Sequence, residues 1–140
     1  MDEARLLVPI QIRYSDCDMM GHVNNAVYLS YFEVARVHFG RRHFRDFLDW
    51  HSTGFLVARN EIDYLKPLLL NTPQPGVEIW ISRVGNSSFD FSYHVVDADQ
   101  GVYARGRTVA VYMLLKENRS APLPDSFREY LFHLAQFAGA

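Results

Sequence analysis

A single cysteine, Cys17, leaves the 140-residue chain without any internal disulfide to brace it, and a reducing compartment, the cytoplasm, is the expected location. Long apolar runs are missing too. No stretch approaches the ~20 residues needed to cross a bilayer, and the opening Met1-Asp2-Glu3-Ala4-Arg5 lacks the basic-then-apolar layout of a secretory leader. Positive charge is scarce: 14 Lys and Arg stand against 16 Asp and Glu, a formal net charge of -2. Nonspecific nucleic-acid binding needs a basic field that this balance does not provide, so nucleic acid is not an expected partner. Repeats, low-complexity tracts and linkers are absent as well. What the chain has is apolar mass, 49% hydrophobic residues with ten Phe, eight Tyr and two Trp. That content predicts one domain over 1–140 with a real core, and apolar surface left over to close a pocket or a subunit interface.

The polar chemistry is concentrated in Arg13-Tyr14-Ser15-Asp16-Cys17-Asp18-Met19-Met20-Gly21-His22-Val23-Asn24-Asn25-Ala26-Val27-Tyr28. Two carboxylates, an imidazole and two side-chain amides crowd into what reads as a strand-to-helix junction. Ahead of it, Val8, Ile10, Ile12 and Tyr14 alternate with Pro9, Gln11 and Arg13, the period of a half-buried strand. Behind it, Tyr28, Tyr31, Phe32, Ala35 and Phe39 recur at helical spacing, with Asn24 or Asn25 placed to cap the first turn and Gly40 to stop the last. Arg36, Arg41 and Arg42 fall where positive charge complements the helix dipole. The acids therefore face free amides at a helix N-terminus, which favour a carboxylate, a phosphate or a developing oxyanion. Val27, Leu29, Val34 and Val37 make this helix apolar over most of its circumference, so something broad must bury it.

Residues 43–51 suggest a short second helix or an ordered loop. From Phe55 to Leu65 the period becomes strand-like and stops before Pro67, and 71–76 is a turn cluster. Val77, Ile79 and Ile81 form one alternating strand, and Phe89, Phe91, Tyr93 and Val95 form the next. The last strand runs from Val102 to Leu115, with Ala104, Gly106, Thr108 and Ala110 making one face small enough for the apolar helix to approach closely. Residues 116–120 read as a polar loop, and Pro124 to Phe137 as an amphipathic helix. Hairpin-length connections make the neighbouring strands antiparallel, so the fold class is α+β, an antiparallel sheet with one long helix lying across a face.

Asp16-Cys17-Asp18-x-x-Gly21-His22-Val23-Asn24-Asn25-x-x-Tyr28 resembles the signature of hotdog-fold acyl-CoA thioesterases of the 4-hydroxybenzoyl-CoA thioesterase type. The similarity covers the order of elements along nearly the whole chain, and its specific part lies in 13–36. It implies a sheet wrapped around a central helix, Asp18 as the catalytic carboxylate, and the Asn25 backbone amide as the group polarising the thioester carbonyl. Related plant acyl-carrier-protein thioesterases share the His-Val-Asn-Asn string and pair their acid with functional Asn and His residues, whose places here are taken by Met20 and His22. The resemblance further implies acyl-CoA as substrate, no cofactor, and a site between protomers of a homodimer or homotetramer. It brings Arg59, Ser87 and Ser88, on the strands after the helix, into view as coenzyme A contacts, with Asn24 and Tyr28 beside the substrate.

Each residue also has a plainer role open to it. Asp16 or Asp18 could simply cap the helix, and Asp16 reads as a structural acceptor. A calcium loop fails at Met20 and Val27, where oxygen ligands are required. Asp16, Asp18 and His22 are commoner as junction polar groups than as metal ligands, so no metal is expected. Cys17 lies between two anions that disfavour its thiolate. His22 either hydrogen-bonds at the helix start or orients Asp18, and Tyr28, Tyr31 and Phe32 serve the core or an acyl pocket. Arg105 and Arg107 suit a solvated face. The competing activities are a hotdog hydratase or dehydratase acting on acyl thioesters, and a noncatalytic acyl-CoA binding protein.

Overall fold

The computed structural model describes residues 3–139. Met1, Asp2 and Ala140, which belong to the expected leader-free start and to the expected 1–140 domain, lie outside them. The elements are β1 (Arg5–Pro9), a single 3-10 turn (Tyr14–Asp16), α1 (Val27–His43), β2 (Thr53–Tyr64), β3 (Gly76–Val84), β4 (Ser88–Val96), β5 (Val102–Leu114), β6 (Arg119–Ser120) and α2 (Asp125–Ala138). All strand pairs are antiparallel, in the order β1-β3-β4-β5-β2, with β6 joined to β5. The sheet wraps the long helix, as the resemblance implies. Among the described residues, no helix is long and apolar enough to cross a membrane.

One face of the sheet presents Ile79 and Ile81, Phe89, Phe91 and Tyr93, and Ala104, Thr108 and Ala110, all fully buried. Against it α1 lays Tyr28, Tyr31, Phe32, Ala35 and Phe39. The small face of β5 does what its sequence suggests. A Cβ on Gly106 would sit 2.5 Å from Phe32 Cε2, so only glycine lets the Phe32 ring lie flat on Tyr93, their centroids 4.1 Å apart and planes 3° from parallel. Toward the other end, Phe44, Phe89 and Phe127 meet edge to face, which is how α2 is fastened beside α1.

Three local expectations are corrected, and one open pair of readings is decided. The first strand lies at Arg5–Pro9 and not at 8–14, because Pro9 has no N–H to continue the ladder and the chain leaves the sheet after Ile10 donates to Pro75 O at 3.0 Å. Gly40 does not end α1. It is buried inside the helix, where its missing side chain admits the Trp50 indole. Of the two readings for 43–51, the ordered loop is correct beyond His43. Residues 119–120 of the expected polar loop form β6, taking the place beside β5 that β4 vacates after Ser88↔Val111.

His43 ties three parts of the fold together. Its Nε2 donates to Glu3 O at 2.7 Å, which leaves Nδ1 to accept from Tyr130 OH at 2.8 Å. Burial pushes its pKa below the usual value of 6.5, opposed by the Glu3 carbonyl and aided by Arg42. The folded state thus prefers neutral imidazole while the unfolded chain binds the proton. Stability is full above pH 6.5 and declines as pH falls toward the depressed folded value. Urea titrations across pH 7 to 5 should show this decline, and a shallower one in His43→Gln. Gly106→Ala should cost about 2 kcal/mol in the same assay at neutral pH, the overpacking cost of forcing Phe32 off Tyr93.

Candidate active site

Residues 16–24 fold back on themselves before α1 begins. Cys17 and Val23 form an antiparallel bridge, and Asp18 N–H donates to His22 O at 2.8 Å. Between them Gly21 N–H closes a turn on Asp18 O at 3.1 Å, with Gly21 at φ 77°, the left-handed region that glycine enters at least cost. The Asp18 carboxylate is fixed by this turn, its Oδ1 accepting from Met20 N–H at 2.9 Å and His22 N–H at 3.2 Å. No described residue donates to Oδ2. Asp18 thus lies in a tight turn and not on a strand leading into the helix, as its spacing had suggested.

Asp16 is the structural acceptor. Its Oδ2 accepts from Arg13 N–H at 2.9 Å and from Tyr31 OH at 2.7 Å, while its backbone carbonyl accepts from Asn24 N–H at 2.9 Å. That last bond removes Asn24 N–H from the set of free amides. Asn24 Oδ1 accepts from Ala26 N–H at 3.0 Å, so Asn24 caps the turn ahead of the helix, and Val27 N–H is satisfied by Asn24 O. Of the four amides from Asn24 to Val27, only Asn25 N–H has no acceptor among the described residues. The Asn25 peptide is held from its other side by Tyr64 OH, which donates to Asn25 O at 2.9 Å.

Asp18, His22, Asn24, Asn25 and Tyr28 all line one open cavity of about 520 Å³, closed on its far side by Tyr64 to Pro67 at the end of β2. Its volume lies in the range of small-molecule sites. Burial raises the Tyr28 hydroxyl pKa, offset in part by the Leu68 backbone, so this phenol stays protonated at neutral pH. The Tyr28 and Tyr64 rings meet edge to face at 5.0 Å and form a wall. Lys66 is the one side chain of the lining with a fixed positive charge. Its Nζ also lies 4.4 Å from the Tyr103 ring centroid, which steadies it. Sequence reading missed Tyr64 and Lys66, whose only signal was their place at the end of a strand stopped by Pro67.

Three expected substrate contacts lie outside this cavity. Arg59 pairs with Glu61, Ser88 Oγ accepts from Arg83 at 2.9 Å, and Ser87 O accepts from Tyr112 N–H at 2.9 Å.

A sheet wrapped around a helix whose N-terminus opens on a carboxylate-lined cavity is the hotdog arrangement of a thioester hydrolase. The family model described as thioesterase-like superfamily matches residues 12–131, and the chain belongs to that superfamily. Among solved structures it is similar to a thioesterase from Thermus thermophilus complexed with coenzyme A and Zn, at 36% identity, with 93% of each chain covered and a TM-score of 0.74. It is also similar to the PA2801 protein from Pseudomonas aeruginosa, at 32% identity over 89% of this chain and 95% of that one, with a TM-score of 0.73. A further relative is the uncharacterized protein YsmA of Bacillus subtilis (strain 168), 26% identical over 89% of this chain and 83% of its own length.

Tyr64→Phe removes the bond that orients the Asn25 peptide and leaves the wall in place. Loss of one hydrogen bond of about 1 kcal/mol should lower kcat roughly fivefold. Melting curves run beside the kinetic assay should show little change in Tm.

Proposed function

We propose that the chain hydrolyses acyl-CoA thioesters to a free carboxylic acid and coenzyme A, with Asp18 supplying the reacting negative oxygen and Asn25 N–H binding the carbonyl oxygen. The single observation that carries this reading is the convergence of the Asp18 carboxylate and the unsatisfied Asn25 amide on one cavity. A thioester carbonyl gains negative charge on oxygen as it is attacked, and a fixed amide aimed there is worth about 3–4 kcal/mol in other enzymes. Oδ1 of Asp18 is committed to two backbone amides, leaving Oδ2 to take a proton from water or to attack the carbonyl carbon. In either route the carbon–sulfur bond breaks, the electron pair leaves on sulfur, and one water is consumed overall. Single turnover in ¹⁸O water separates the routes: water activated by Asp18 puts label in the acid, whereas an anhydride opened at the Asp18 carbonyl puts label in the protein and releases an acid carrying the Asp18 oxygen.

His22 gives Asp18 a backbone N–H, so its role as a positioning residue rests on its main chain. Lys66 suits the phosphate-bearing end of the substrate, and Tyr28 and Tyr64 suit its acyl-proximal part. The working unit is a homo-oligomer. β2 is an unpaired sheet edge, and α1 leaves Leu29, Val34 and Val37 40 to 45% exposed, a combination that a second copy would cover.

Asp18→Asn preserves shape and removes charge, and should lower thiol release from the best acyl-CoA of a panel by about 10² to 10⁴. Turnover at the wild-type rate would refute the assignment. A hydratase or a noncatalytic binder would release no thiol in the unmodified protein.

A further inference from the structure

The fixed positive charge on the lining of the Asp18 cavity, Lys66, is held in place without being neutralised. Its main chain and its side chain are both tied to Tyr103, near the start of β5. Leu65 N–H and Lys66 N–H donate to Tyr103 O at 2.9 and 3.2 Å, while Lys66 Nζ lies 4.4 Å from the centroid of the Tyr103 ring. Among the described residues, no carboxylate comes within ion-pair distance of Nζ and no group accepts a hydrogen bond from it. The aromatic face is its support.

An acid stands close by, and it is occupied. Gly101, in the turn between β4 and β5, borders both groups: a Cβ on it would lie 3.2 Å from Lys66 Nζ and 3.3 Å from Asp97 Oδ1. Asp97 Oδ1 accepts from the N–H groups of Asp99 and Gly101 at 2.9 Å each, and its Oδ2 accepts from Tyr103 OH at 2.7 Å. These bonds, the Tyr103 hydroxyl foremost, hold the Asp97 carboxyl below the usual carboxylate range, so it is an anion at neutral pH. Tyr103 therefore acts on Lys66 twice. Its ring carries the ammonium, and its hydroxyl occupies the carboxylate oxygen that would otherwise capture it. An ammonium so placed keeps its N–H donors and its charge for an incoming anion. Its position along the cavity indicates which anion. Tyr64 OH bonds to Asn25 O at the carbonyl-binding end. Lys66 is set back from Tyr64 by two residues of chain, at most roughly 7 Å, and its stem then reaches over to Gly101. Along the carrier arm of an acyl-CoA two neutral amides follow the thioester, and the first charged group is a phosphate.

Resting on the hydrolase reading above, we propose that Lys66 binds the phosphate that ends the pantetheine arm of the substrate, with Tyr103 as the positioning residue that keeps the ammonium free of Asp97. The site then selects thioesters whose carrier bears that phosphate, coenzyme A and 4′-phosphopantetheine alike, over thioesters of bare pantetheine.

The test is thiol release from one acyl group, the best of the panel, carried on coenzyme A, on 4′-phosphopantetheine and on pantetheine. The two phosphate carriers should share a KM roughly tenfold below that of pantetheine with similar kcat, because a contact remote from the reacting carbon acts equally on ground and transition states. Lys66→Gln should raise both of those KM values about tenfold and so erase the difference from pantetheine, and Lys66→Arg should keep most of it. Tyr103→Phe keeps the ring and frees Asp97 Oδ2, so it should raise the same two KM values. Adding Asp97→Asn, which retains an acceptor for the turn amides and removes the charge, should restore them. A merely structural Tyr103 would instead lower kcat on all carriers and would not be rescued by Asp97→Asn. That result would overturn its positioning role. Equal KM on the three carriers, a preference for coenzyme A that 4′-phosphopantetheine does not share, or a Lys66→Gln defect that follows a carboxylate on the acyl group would overturn the phosphate assignment and leave the hydrolase reading intact. No thiol release from any carrier would overturn both.

Discussion

The candidate site depends on Asp16 more than on any residue that faces substrate. Through two carboxylate bonds and one carbonyl bond it fastens the segment before the site, the segment after it and the first turns of α1 into one piece. Tyr31, whose hydroxyl Asp16 holds, is itself packed in the core, and burial together with that carboxylate raises its pKa far above any working pH. The donor is therefore permanent. The Asp18 turn is exposed and would be mobile as an isolated loop. It is positioned because its base is anchored to the buried face of the helix.

The same anchor decides which amides remain available. Two consecutive N–H groups at a helix start would ordinarily be equivalent anion donors. Here Asn24 N–H is taken by the Asp16 carbonyl and Ala26 N–H by the Asn24 side chain, which leaves Asn25 N–H alone, with Tyr64 gripping the carbonyl of the same residue.

The fold was legible in the sequence because its signals are periodic. The alternations of Val77 to Ile81 and Phe89 to Val95 and the small face from Ala104 to Ala110 each map onto one buried sheet face. The helical spacing of Tyr28 to Phe39 likewise maps onto the buried face of α1. Boundaries failed where tertiary contact overrides local rules. Gly40 would end a helix in isolation, yet Trp50 packs where its side chain would stand and the helix runs on to His43. In the site, Asp18 and Asn25 were found because they belong to one short motif. Tyr64 and Lys66 come from a strand end about 40 residues away, and nothing in a one-dimensional pattern shows which strand end will close a cavity. Arg59, Ser87 and Ser88 were brought into view by the resemblance, and within one chain they lie away from that cavity.

Arginine pairing shows the same contrast on a larger scale. On the outer sheet face Asp90, 1% exposed, lies between Arg83 and Arg107 at 2.9 Å each, and Arg107 continues to Glu61 and so to Arg59. A carboxylate so nearly buried is tolerable only because two guanidiniums replace its water. Arg5 with Glu78 and Arg42 with Glu3 repeat the pattern at the edges. Arg36, which faces a buried tyrosine and threonine, departs from it, as does Arg128, which donates to the Gly85 carbonyl. A relay of neutral hydroxyls can fix the position of a guanidinium but cannot balance its charge. The buried acid of the outer face is thus balanced by two guanidiniums, whereas the Arg36 guanidinium beside α1 meets only neutral oxygens.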